Sequence, residues 1–173
     1  MLLDILQYPD PRLEQPAREL AGPDDELRTL VDNMAETMYA ARGVGLAAPQ
    51  VDRAIRLVIV DASGPDERNA LQVFINPSLT VLDPSLIEDE EGCLSVPFNY
   101  RAPVSRAARV MVDALDLDWK PVHLEAEGLL AVCLQHEIDH LEGKVFLDRI
   151  SRLKRTLFDT RIKKWQRRKN VSE

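Results

Sequence analysis

A chain of 173 residues, 45% hydrophobic and 29% charged, has the make-up of an ordinary globular protein and reads as one domain with a substantial core. No apolar run reaches the roughly 18 residues of a membrane span, no basic signal-peptide start is present, and two cysteines without such a signal exclude a disulfide framework; a cytoplasmic protein without a membrane partner is expected. The net charge of −7 is uneven: residues 149–173 hold ten Lys or Arg against Asp159 and Glu173, a balance of +8, and residues 1–148 balance at −15.

The first sixteen residues carry Pro9, Pro11 and Pro16 and read as extended chain wrapping a surface. Asp24 or Asp25 then caps a helix whose apolar positions Leu27, Leu30, Val31, Met34 and Met38 follow helical spacing. Gly43 stops it. The octapeptide Gly43–Gln50, GVGLAAPQ, combines small residues that allow close backbone approach with an amide at its end. With no strand leading in, it is not a dinucleotide loop; a tight turn and a binding site both remain open.

Ile55–Asp61 is β-branched and predicts a strand. Val73–Pro77 predicts a second one, ended by its proline, with Leu79–Leu82 beside it. The acidic run Glu88–Glu91 reads as a solvated turn. Cys93 follows Gly92 and could be a buried packing residue or a ligand. Alternation over Val110–Leu117 and Val122–Ala126, joined by Trp119-Lys120-Pro121, predicts a hairpin on which His123 is a surface residue.

The stretch Leu129–Gln135 then leads into His136-Glu137-Ile138-Asp139-His140, and Gly143 supplies the stop. On a helix, His136 and His140 share one face with Cβ atoms roughly 5–6 Å apart, close enough for two imidazoles to bind one metal ion. Glu137 would flank the ion and exchange protons with water there. A catalytic metal usually has three protein ligands, so a third must come from elsewhere. Val145–Asp148 predicts a short strand. Arg152–Lys169 predicts a last helix, with Leu153, Leu157, Ile162 and Trp165 as its apolar stripe. The whole is expected to be α+β: small antiparallel or mixed sheets around a central metal-binding helix, with a C-terminal helix. Its basic residues point to an anionic partner.

Gly43–Gln50, Glu91–Pro97 and His136–His140 together, in this order and spacing, resemble the three signature motifs of peptide deformylases. The likeness runs from Tyr8-Pro9-Asp10-Pro11-Arg12-Leu13 to the last helix. It implies Cys93, His136 and His140 as ligands of one divalent ion, Fe(2+) in the family, with Zn(2+), Ni(2+) or Co(2+) as alternatives in purified protein. It implies hydrolysis of the N-formyl group from formyl-methionyl nascent peptides, releasing formate. Glu137 would be the general acid–base, and the Gln50 amide and Leu94 backbone N–H the oxyanion donors. Gly45 and Gly92 would let the peptide backbone approach, while Val44, Leu129, Val132 and Cys133 would line a methionine pocket. The Pro97–Arg101 stretch is one residue longer than in the family, with Arg101 a candidate contact for the outer peptide. A nascent-chain substrate makes the ribosome a candidate partner of the basic helix, through phosphate contacts.

Two other functions compete. A zinc endopeptidase shares H-E-x-x-H, but no third His or Glu follows at the expected place and Cys93 would be unexplained. A non-catalytic peptide-binding module would leave the glutamate and the open coordination position without use.

Overall fold

The computed structural model describes residues 1–64 and 66–171. Among them, five strands form one antiparallel sheet in chain order: β1 (Gly45–Ala47), β2 (Leu57–Asp61), β3 (Leu71–Glu91), β4 (Ala102–Leu115) and β5 (Pro121–Glu127). Three α-helices accompany it, α1 (Asp25–Ala40), α2 (Gly128–Leu141) and α3 (Arg152–Val171). The architecture is α+β, as expected, with a single sheet in place of several small ones. Among the described residues, only an isolated parallel bridge, Arg18 to Ile55, departs from the antiparallel pattern. No helix among the described residues is long and apolar enough to cross a membrane.

The continuous apolar run of β2 follows from burial on both faces. Val58 and Val60 join Phe74, Val110 and Val112 beneath Ala131, Leu134, Ile138 and Leu141 of α2. Leu57 and Ile59 join Ile75 on the opposite side beneath Leu27, Val31, Met34 and Met38 of α1. The Asp24 carboxylate caps α1 by accepting from Glu26 N at 2.9 Å, as its place before the apolar repeat implies. A third apolar cluster joins Tyr8 and Leu13 to Val96, Val104, Phe146, Phe158 and Ile162, tying both ends of the chain together.

Four sequence expectations are corrected. Pro77 does not end a strand: β3 runs through it and through Pro84 to Glu91. Both prolines fall where the β3–β4 register shifts, at bulges that need no ladder hydrogen bond from them. Consequently Glu88–Glu91 is strand rather than turn, and Glu91 is buried. Val145–Asp148 is not a strand but leads into a 3-10 turn over Phe146–Asp148. On α3 the buried positions are Phe158 and Ile162, with Leu153 and Leu157 exposed at 70% and 62%. In a helix this rich in long basic residues several apolar phases can be drawn, and packing selects the one that faces the third cluster.

Candidate active site

Helix α2 starts directly after β5 and carries its histidines inward: His136, Glu137, Asp139 and His140 are all buried. It ends where Gly143, at φ +72°, turns beneath the chain that wraps it. A Cβ on Gly143 would lie 2.4 Å from the Glu14 carbonyl oxygen, so a side chain cannot be placed there without moving that segment.

The helix delivers its two imidazoles to Cys93, which follows the end of β3. Ligand atoms of Cys93, His136 and His140 lie within 4.8 Å of one another, with Cys93 Sγ 3.3 Å from His140 Nε2. A sulfur and a nitrogen bound to one ion at about 2.3 and 2.1 Å would lie about 3.6 Å apart at a tetrahedral angle. The spacing and the thiol–imidazole donor set therefore fit a metal ion. His140 is held neutral by burial, its pKa lowered to about 3 with help from His136, and a neutral imidazole is the ligating form. Cys133 lies one turn before His136 but outside this cluster. Burial, then the charge of Glu137, pushes its thiol up to about 12, which disfavours the thiolate that a metal would require.

A charged network orients His136. His136 Nδ1 donates to Glu91 Oε1 at 2.9 Å, leaving Nε2 free for a metal. Arg106 grips Glu91 through two bonds of 2.8 Å and reaches Asp139 at 2.7 Å. Arg149 closes the far side with bonds of 2.5 and 2.7 Å to Asp139. Burial alone would raise the Glu91 pKa, but Arg106 and His136 outweigh it and hold the carboxyl at about 2. Sequence reading missed Glu91, Arg106, Asp139 and Arg149 as supports. One signal was available: Asp139 sits on a helix whose neighbours are apolar or ligating, and a charge there requires a partner.

Glu137 lies against β1. A Cβ on Gly45 would come within 2.5 Å of Glu137 Oε1, so the missing side chain makes room for the carboxylate. Burial raises the Glu137 pKa to about 7, against the opposing effect of His136, and no group among the described residues bonds Oε2. The Gln50 side chain is fixed at both ends: Oε1 accepts from Ala47 N at 2.8 Å, and Nε2 donates to Ser95 Oγ at 3.1 Å. Nε2 also faces Cys93 Sγ at 3.5 Å.

These groups open onto a cleft of about 540 Å³ lined by Val44, Gly45, Gly92, Leu94, Leu129 and Val132, among others. Cys133 and Arg101 line it too. Val132 and Cys133 are buried, whereas Leu129 is half exposed at the mouth. The structure thus brings the candidate site residues named from the sequence to one cleft, with His140 behind it in the ligand cluster. His123 is elsewhere, exposed and paired with Asp113.

Comparison with known proteins decides what family this geometry serves. Residues 2–156 match the family model described as polypeptide deformylase. The chain belongs to the polypeptide deformylase family. It is 51% identical to a peptide deformylase of Chromobacterium violaceum over 94% of this chain and 95% of that one. It is 48% identical to that of Desulfosudis oleivorans over 94% of both. Its structure is similar to the crystal structure of a Legionella pneumophila peptide deformylase, with a TM-score of 0.87, 44% identity and 98% of each chain covered. As a deformylase, the chain is a hydrolase that removes the N-formyl group from the formyl-methionine of newly made polypeptides, releasing formate. It uses a single metal ion, for which the Cys93, His136 and His140 cluster is the candidate site.

Proposed function

We propose that Cys93, His136 and His140 hold the catalytic ion, that Glu137 moves the proton, and that the whole chain acts as one catalytic domain. The observation that carries this reading is the convergence of three ligand atoms within 4.8 Å beside a buried carboxylate. When bound, the ion supplies Lewis acidity that polarises the formyl oxygen and makes water a nucleophile near neutral pH. Glu137 takes the proton from the attacking water and passes it to the departing amine nitrogen. The Gln50 Nε2–H and the Leu94 backbone N–H donate to the oxygen that gains charge. Gly45 and Gly92 let the peptide backbone lie extended along the cleft, and Val44, Leu129, Val132 and Cys133 contact the methionine side chain.

A thiolate and two imidazoles accommodate iron, zinc, nickel or cobalt, and we assign Fe(2+) on the family resemblance. Anaerobically purified protein should contain about one iron per chain and release formate from a formyl-methionyl peptide. Cys93→Ser should lose the metal, while Cys133→Ser should keep it and show weaker preference for methionine. Metal retained in the Cys93 variant and lost in the Cys133 variant would move the ligand to Cys133.

The protein acts in the cytoplasm, where formylated chains are made, and α3 docks on the ribosome. Support comes from the exposed basic residues Lys163, Lys164 and Arg167 and the uncovered Leu153 and Leu157. Phosphate contacts of this kind weaken steeply with salt. Removing α3 would strip buried Phe158 and Ile162 from the third core cluster, so charge reversal at Lys163, Lys164 and Arg167 is the cleaner test. Binding to ribosomes should fall while hydrolysis of a free peptide persists; unchanged co-sedimentation would reject the docking.

A further inference from the structure

The exposed rim of the cleft includes Asn99 and Arg101, with Tyr100 between them. Where the chain enters this rim the backbone is left-handed at two consecutive residues, Phe98 with φ 68° and Asn99 with φ 49°. A bulky residue such as Phe rarely adopts this conformation, and it persists only where surrounding contacts impose it.

Those contacts come from α3. The Phe98 ring meets Trp165 edge-on at 5.5 Å between centroids and lies 6.4 Å from Phe158. The Arg161 guanidinium covers it at 4.1 Å. Phe158, Arg161 and Trp165 are three and four residues apart and share one helix face. Tyr100 leans on the same helix, 4.4 Å from Phe158. The helix is itself fixed to the body: Tyr8 Oη donates to Asp159 at 2.7 Å, and Arg155 bonds Asp148 at 2.9 Å. Arg101 folds back from the rim over Gly92, donating to the Glu90 carbonyl at 2.6 Å.

We propose that Phe98 is a positioning residue. Its anchorage on α3 holds Asn99–Arg101 as the wall of the cleft that receives the residues following formyl-methionine. Helix α3 thereby sets affinity for the peptide beyond its first residue, a task separate from any docking. The proposal rests on the cleft being the substrate site.

The test compares a formyl-methionyl dipeptide with a formyl-methionyl pentapeptide on the full-length, metal-loaded enzyme. Phe98→Gly accepts the backbone conformation but drops the anchor, and Trp165→Ala removes it from the helix side. Each should raise KM for the pentapeptide roughly fivefold, the worth of about one hydrogen bond. Neither should change kcat or the KM for the dipeptide, and Trp165→Phe should restore the pentapeptide KM. A merely structural role would lower thermal stability and shift both substrates alike, which would overturn the proposal, as would an unchanged KM for both. Glu137→Gln assayed alongside separates the two readings. Its loss of turnover with no KM response in the anchor variants overturns the anchor alone; its full activity overturns the site reading and the anchor with it.

Discussion

Gly45 and Glu137 are fitted to each other: the glycine backbone passes so close to the carboxylate that a Cβ would lie 2.5 Å from Oε1. The backbone of Gly45 is ordinary strand paired with Val60, so conformational freedom is not what the position needs. It needs the absence of a side chain.

Gly45→Ala is therefore expected to fold and to bind its metal while displacing Glu137. A misplacement on the order of 1 Å can cost about 10²-fold in rate. The loss should appear in kcat, with metal content and thermal unfolding close to the parent's. Near-parental kcat would mean that the carboxylate tolerates the shift and is less tightly placed than the geometry implies.

Arg106 is 3% exposed and pairs with two buried carboxylates, Glu91 and Asp139. Arg106→Met leaves both without their shared partner, and breaking a buried pair in this way costs about 3–5 kcal/mol. Denaturant unfolding measures the loss. Because Glu91 also orients His136, metal affinity should fall alongside stability, by roughly 10–100-fold for a support of this kind. A Met variant as stable as the parent would show the network to be dispensable.

Much of this was legible in the residues, for identifiable reasons. The α2 helix announces itself through an apolar lead-in, a fixed four-residue spacing of histidines and a glycine stop. The two-sided burial of β2 shows in its unbroken apolar run. The length of β3 does not show, because Pro77 and Pro84 argue against a strand unless the bulges that accommodate them are known. Glu91 sits among Glu88, Asp89 and Glu90, where charge usually means solvent. Its partners are 15 and 45 positions away, at Arg106 and His136, and only the fold brings them together. The apolar stripe expected on α3 is out of phase at Leu153 and Leu157, because only packing against the third cluster selects Phe158 and Ile162.

The end of α2 offers a stability test away from the chemistry. Gly143 has φ +72° and a neighbouring carbonyl where a Cβ would go. Gly143→Ala should cost about 1–2 kcal/mol for the left-handed backbone alone, with the clash against Glu14 adding to it. Asn tolerates that backbone better than Ala but brings the same Cβ, so Gly143→Asn should also destabilise. If Asn were neutral in chemical denaturation, the contact with Glu14 would carry no weight.

In the proposed mechanism Glu137 is a proton carrier beside the ion rather than a ligand on it. Glu137→Gln keeps the shape and removes the base. Metal content and formate release from a formyl-methionyl peptide should be measured on the same anaerobic sample. Parental metal occupancy is expected, with turnover reduced by at least about 10²–10⁴-fold. Turnover near the parental rate, or loss of the metal itself, would contradict that role for Glu137.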